Sequence, residues 1–227
     1  MLIVALILLA AIIFLPQWWV KRVLARYQTP ADRYQGTGSQ LARHLLDHLG
    51  LESVAVEKTE KDGDHYDPEA RVVRLSPHNH DHASLTAITV AAHEVGHAIQ
   101  HADGYRPLIW RTRLVKSLQK FQRLGVILIA LMPVAILALR LPRAGIILLV
   151  VGLATLASGI IVHLMTLPTE LDASFRRALP ILEKGGYLKD GDRGHARRIL
   201  TAAALTYVAA SLMGLVNFWW WMRLLRP

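Results

Sequence analysis

Apolar and polar stretches alternate along the chain on a scale of about twenty residues, longer than the period of a single amphipathic element. Residues 2–20 are uncharged and end in Trp18 and Trp19. Residues 124–139 and 144–165 form two further apolar runs, separated only by Arg140-Leu141-Pro142-Arg143. A fourth run, 199–222, closes in Trp219, Trp220 and Trp221. A helix needs about 20 apolar residues to cross about 30 Å of hydrocarbon, and tryptophan clusters suit the interfacial belt. The pattern therefore predicts about four transmembrane helices, with the middle two as a tight hairpin. Span one reads as an uncleaved anchor: no basic segment precedes it and no small-residue cleavage site follows it.

The polar stretches carry shorter periods. Leu41, Leu45, Leu46 and Leu49 recur at helical spacing after a Gly/Ser start signal, and Gly50 ends the run. Residues 54–77 read as two short strands around an Asp62-Gly63 turn, followed by a polar loop over 78–84. A long helix is expected from Ser84 to His101, with Leu85, Ile88, Ala92, Val95 and Ile99 along one apolar face. Pro168 and nearby acidic residues predict a fresh helix start beyond the third run, and Gly185-Gly186 its end.

Composition agrees with the apolar runs. Of 227 residues, 53% are hydrophobic, and the mean hydropathy is +0.31. The net charge of +9 would suit nucleic acid or an anionic membrane surface; the apolar runs favour the membrane, so nucleic acid is not expected as a partner. Basic residues gather at 21–33, 111–123 and 176–198. By the positive-inside tendency this puts residues 21–123 and 166–198 in the cytoplasm, with both termini outside. The chain lacks cysteine, which excludes disulfides and thiolate metal sites, so any zinc must be held by His, Asp or Glu.

The helix over 84–101 holds the chemistry, in Ala91-Ala92-His93-Glu94-Val95-Gly96-His97-Ala98-Ile99-Gln100-His101. His93 and His97 stand one turn apart and can reach a single ion. Glu94 follows the first around the helix, placed to take a proton from water beside a metal without ligating it. His101 lies about 80° around the helix from His93 and reads as solvent-facing or supporting; His78, His80 and His82 read as solvated. A catalytic zinc needs a third protein ligand and an open position. Glu170 is the best candidate, because two spans return the chain to the same side; Asp172 is its competitor. Tyr187, His195, Arg176 and Tyr207 are candidates for stabilising an oxyanion. His163 is an ionisable residue within an apolar run, for which an interfacial position is the plainer account.

Four blocks, Tyr66–Pro77, Ala91–Tyr105, Leu167–Leu179 and Ala196–Ala210, together resemble the YugP-type membrane zinc metallopeptidases, also called neutral zinc metallopeptidases. They occur in the family's order and extend over nearly the whole chain. The resemblance implies a gluzincin: His93, His97 and Glu170 on zinc, with Glu94 as base. The layout is also similar to membrane heat-shock proteases and CAAX-processing metalloproteases, which place a membrane hairpin between HExxH and the glutamate. One departure stands out. Many gluzincins carry an acidic residue four beyond the ligand glutamate, orienting a histidine; here that position is Ser174, and Asp172 lies only two beyond. By analogy with zincins, Val72, Val73, Arg74 and Leu75 form a strand bordering the cleft, whose edge an extended substrate could join.

The expected architecture is a mostly α integral membrane protein with a small α+β zincin-like domain at the membrane surface. Its parts are an anchor over 1–20, the polar domain over 21–123, a transmembrane hairpin over 124–165, an interfacial helix with the third ligand over 166–198 and a last span over 199–227. The expected activity is zinc-dependent peptide hydrolysis of protein substrates at the cytoplasmic face of a bacterial inner membrane, in the service of membrane-protein quality control, with the bilayer and other membrane proteins as partners. A zinc-binding scaffold without turnover and an intramembrane protease with a deeper site are the alternatives.

Overall fold

The computed structural model describes residues 2–60 and 63–206. The chain divides into two compact units. One comprises residues 15–109 and 167–206. The first helix, α1 (Leu2–Arg26), contributes its C-terminal part, and Val20 and Val23 are buried in the core there. Helix α2 (Gly38–His48) is opened by a capping box, in which Thr37 and Gln40 satisfy each other's backbone N–H groups. Its end is turned by Gly50 at φ +70°, a conformation that costs glycine little.

Three strands follow: β1 (Ala55–Lys58), β2 (His65–Asp67) and β3 (Val72–Leu75). Two strands around one turn were expected, and the structure corrects this. The order is β1-β3-β2, with β1 parallel and β2 antiparallel to β3. The hairpin turn is the Asp67-Pro68 segment, where the Asp67 carboxylate accepts from the N–H groups of Glu69 and Ala70, a side-chain mimic of a backbone turn. Val72, Val73, Arg74 and Leu75 thus form the middle strand, paired on both sides. The edge to which an extended substrate was expected to add is already taken by β1 and β2. Arg74 ties the sheet together by bonding Glu57 on one neighbour and Asp67 on the other.

The expected loop over 78–84 contains a short helix, α3 (Pro77–Asp81), with proline at a first-turn position where no N–H is needed. Then comes α4 (Leu85–Ala102), begun by Ser84, whose hydroxyl accepts from the Ala87 N–H. Its expected apolar face is present, but the helix is buried on nearly every side, including Thr86, Thr89, His93, Glu94, His97 and Gln100. Helix α2, the sheet and the segments after residue 171 all pack against it. It is the central element of this unit.

The second unit includes residues 110–166, drawn from α5 (Arg106–Pro133) and α6 (Pro142–Leu171). A π-helical turn, Val134–Ala138, follows Pro133. Gly125 and Gly152 make the close approaches between the two helices: a Cβ at Gly125 would lie 1.9 Å from the Thr155 hydroxyl, and one at Gly152 would lie 2.9 Å from the Gly125 carbonyl oxygen.

Among the described residues no helix is long and apolar enough to cross a membrane, which overturns the expected integral membrane protein with four transmembrane helices. The physical reasons differ from run to run. The C-terminal part of α1 carries Lys21, Arg22 and Arg26 and gives Val20 and Val23 to a protein core. The first half of α5 is basic, and its apolar half gives way to the π turn after only ten residues, 124–133. Helix α6 runs past Pro168 into the first unit, where Thr169 and Glu170 are buried. The fourth run lies largely outside the described residues, which end at 206.

Candidate metal centre

Helix α6 does not restart at Pro168, as the sequence suggested; it continues to Leu171 and passes directly into a π-helical segment, Asp172–Ala178. Glu170 is therefore an interior helical residue and owes nothing to a helix N-terminal dipole. The π segment opens the helix by one residue per turn, so that the Leu179 N–H bonds the Ser174 carbonyl. Such widened turns recur at functional sites. Helix α7 (Leu179–Lys184) follows and stops at Gly185-Gly186, as the sequence predicts. The last described helix, α8, occupies 193–206.

The π segment lies unusually close to α4. A Cβ at Gly96 would lie 2.8 Å from the Ala173 carbonyl oxygen, closer than a real side chain tolerates. Glycine between the two histidines thus allows the π segment to touch α4, and this contact carries Glu170 to the histidines. His93 Nε2 and His97 Nε2 are 3.2 and 3.3 Å from the same oxygen, Glu170 Oε2. All three side chains are buried, Glu170 to 1% exposure. They are a group of His, Asp or Glu able to share one ion, found among the described residues.

The donor set fits zinc. Zinc–nitrogen and zinc–oxygen bonds of about 2.0–2.1 Å in a tetrahedron place ligand atoms about 3.3 Å apart, which matches the two nitrogen–oxygen separations. Two imidazoles and one carboxylate would give zinc three protein ligands, the number that leaves room for water or substrate. Burial raises the Glu170 carboxyl, but His97 and His93 beside it outweigh that effect and hold it far below the usual carboxylate range. Glu170 is thus ready to serve as an anionic ligand.

A ring of polar groups backs the triad. Ser174 Oγ lies 3.1 Å from His93 Nδ1 and donates to the Leu200 carbonyl on α8. Gln100 Oε1 lies 2.9 Å from His97 Nδ1, and Gln100 Nε2 donates to the Thr169 carbonyl and to Asp172. Arg177 bonds the same Asp172 oxygen and also Asp103 at the end of α4. Asp172 therefore lies behind the triad, not in it, and Ser174 meets a histidine directly. Glu94 is buried on α4 beside His93.

Gln100 and Arg177 were not singled out in the sequence. Gln100 stands three after His97 and was legible as a helical neighbour. Arg177 is five beyond Asp172, a spacing that meets in a π turn and not in an α-helix.

The remaining candidates are engaged in other contacts. His101 bonds the Tyr66 hydroxyl. His78 packs edge-on against His82, and His80 bonds Asp81. Tyr187 bonds His44, His195 packs on Tyr27, and Arg176 is exposed. Tyr207 and the side chain of His163 lie outside the described residues.

Comparison with known proteins agrees with the donor set. Residues 2–226 match the family described as "Putative neutral zinc metallopeptidase". The chain is 36% identical over 203 residues to a protein of Bacillus subtilis (strain 168) named "Putative membrane protease YugP", covering 89% of this chain and 86% of the relative. No solved structure matches. A buried His-His-Glu triad spaced for zinc and a family match along almost the entire sequence lead to one assignment: the chain belongs to the neutral zinc metallopeptidase family.

Proposed function

We propose that the protein is a zinc-dependent endopeptidase that hydrolyses peptide bonds of protein substrates at a membrane surface. The observation that carries this reading is the buried triad of His93, His97 and Glu170, with the acidic side chain of Glu94 on the same helix. Zinc held by the triad would supply Lewis acidity at a peptide carbonyl and make water nucleophilic near neutral pH. Glu94 takes the proton of the attacking water and returns it to the leaving amine. Glu170 neutralises charge from the buried side, and Gly96 keeps the two histidines against the segment that supplies it. Three ligands without the glutamate base would suffice for a binding scaffold; the intact Glu94 favours turnover.

Lipid is the natural partner of the second unit. Ile127, Leu137, Ile147 and Val150 are among the apolar side chains of α5, its π turn and α6 that stand more than half exposed. Exposed apolar side chains on two helices that approach each other at Gly125 and Gly152 suit a lipid environment. The basic residues at 21–26 and 111–123 suit the anionic cytoplasmic leaflet, and quality control of membrane proteins is the service such a placement would allow.

The test is Glu94→Gln. The full-length wild type should carry about one zinc per chain by elemental analysis and cleave casein. The variant should keep its zinc and lose cleavage by about 10²–10⁴-fold, the usual contribution of a general base. Undiminished cleavage would remove Glu94 from the mechanism.

A further inference from the structure

We infer that a cavity on the side of α4 away from the triad binds the carboxyl-terminal end of a peptide whose last side chain is apolar or aromatic. Neither the lining of the cavity nor its occupancy depends on zinc, so the inference goes beyond the hydrolysis read from the triad.

The cavity lies wholly within the unit that holds the triad. It is bounded by α2, the Tyr34–Gly36 segment and the turn over 186–189, and it measures about 560 Å³. Pockets for small ligands run about 300–1,000 Å³. Helix α4 contributes Ile88 to the wall. At about 100° per residue, Ile88 stands about 140° around α4 from His93 and about 180° from His97. The body of α4 therefore separates an occupant from the triad. Neither the triad nor the polar groups behind it line the cavity.

The lining joins an apolar half to a cationic one. Leu41, Ile88 and Leu188 are aliphatic, and Tyr34 and Tyr187 add rings. The Tyr34 hydroxyl is already bonded to Asp192, so Tyr34 has chiefly its ring to offer. Lys189 brings a positive charge, and the wall contains no Asp or Glu. Among the described residues no carboxylate pairs with its ammonium, which stands 5.6 Å from the centre of the Tyr34 ring. Gln40 adds a second donor. Its Oε1 is held by the capping box of α2, accepting from the Thr37 N–H at 2.9 Å. That leaves the two N–H groups of its Nε2 for a ligand. The Tyr187 hydroxyl, 2.9 Å from His44 Nε2, keeps a further hydrogen bond to make.

These features select among ligands. An ammonium with no carboxylate partner, together with amide donors, calls for an anion. A bare inorganic anion would leave the aliphatic and aromatic half against water. A fatty acid would fill that half but leave the amides of Gln35 and Gln40 without a backbone to pair with. A peptide carboxyl terminus meets every demand. Its carboxylate takes the Lys189 and Gln40 donors, its last side chain lies on the apolar half, and its backbone amides pair with the remaining polar groups. Gly186, at φ +69°, has open space where a side chain would stand, which leaves room for the ligand's backbone at the turn.

The test is calorimetric titration of the purified full-length protein, zinc-loaded and metal-free, with acetyl-Ala-Ala-Phe as the free acid and as the carboxamide. The acid should bind both forms of the protein equally. It should bind about 10–100-fold more tightly than the amide, the range for a hydrogen bond to a charged group. Lys189→Met, which keeps the length of the side chain, should abolish that preference without moving the thermal unfolding of the protein. Replacing the last residue of the probe by glycine should weaken binding about tenfold or more, through loss of the buried ring. No binding, or an acid preference that survives in Lys189→Met, would overturn the inference. Binding that requires zinc would place the peptide on the metal and overturn it too. Octanoate bound as tightly as the peptide would make the occupant a fatty acid and overturn the peptide assignment. A wild type that binds the acid as expected but neither holds zinc nor cleaves casein would instead defeat the peptidase reading and leave the cavity's ligand standing.

Discussion

The departure at Ser174 has a structural answer at the scale of single residues. Where an acidic residue would orient a histidine, Ser174 supplies a neutral oxygen, and the carboxylate of Asp172 acts one step removed, through Gln100. This sets an order of effects on metal binding. Glu170→Ala removes a ligand atom shared between two imidazoles and should abolish stoichiometric zinc in a chelator titration. Asp172→Ala should lower affinity only about tenfold, the low end for supporting groups. A reversed order would exchange their roles. The sequence placed these residues in one short block and ranked Glu170 ahead of Asp172. Which carboxylate enters the gap between the histidines depends on the path of α6, which no local pattern reports.

Among elements, the decisive contact is α4 against the π segment Asp172–Ala178. It requires a glycine at the touching point. With a Cβ placed 2.8 Å from the Ala173 carbonyl, Gly96→Ala must push the segment away and draw Glu170 from the histidines. The expected cost is about 1–3 kcal/mol of stability, typical of overpacking, with a loss of zinc affinity larger than the stability change alone would give. Thermal unfolding of the metal-free protein and zinc titration measure the two separately. Gly96 in a helical motif was visible in the sequence as a site of close packing. Its partner was not, because 77 positions separate Gly96 from Ala173, and no local period reports such a contact. The same limit explains the sheet. The sequence announced a strand at Val72–Leu75, but pairing with a neighbour 17 residues earlier, besides β2, made it the middle one.

Across the whole unit that holds the site, a second fastening joins distant parts of the chain. Arg33 makes two bonds to Asp192, and the Tyr34 hydroxyl a third, fixing the segment after α1 to the start of α8. Burial raises the Asp192 carboxyl, but Arg33 and Tyr34 outweigh it and hold it below the usual range. Burial and Asp192 together push the Tyr34 hydroxyl up to about 12. The sign of the pH effect follows. The unfolded chain binds the Asp192 proton more readily than the folded one, so the contribution is complete above the ordinary aspartate value of about 3.9. It is lost as pH falls through the lower, folded value. Asp192→Asn should lower the melting temperature at pH 7 and flatten its decline below about pH 4. A wild-type and variant pair that decline in parallel would exclude the ion pair as a source of acid sensitivity.

What the sequence determined by itself was local. The spacing of His93 and His97 follows from 3.6 residues per turn, whatever surrounds the helix. The caps at Thr37 and Ser84 and the stop at Gly185 are equally short-range. Glu170 as third ligand was legible from its block and the family resemblance. The tertiary structure decided the rest: that α4 is enclosed on nearly all sides, that β3 is central, and that α6 runs unbroken past Pro168. It also decided that Gln100 and Arg177 belong to the site. The apolar runs show the limit most clearly. Hydropathy counts what a run contains and not where its side chains are spent: Val20, at the end of the first run, is buried with Val23 in the core of the unit that holds the site.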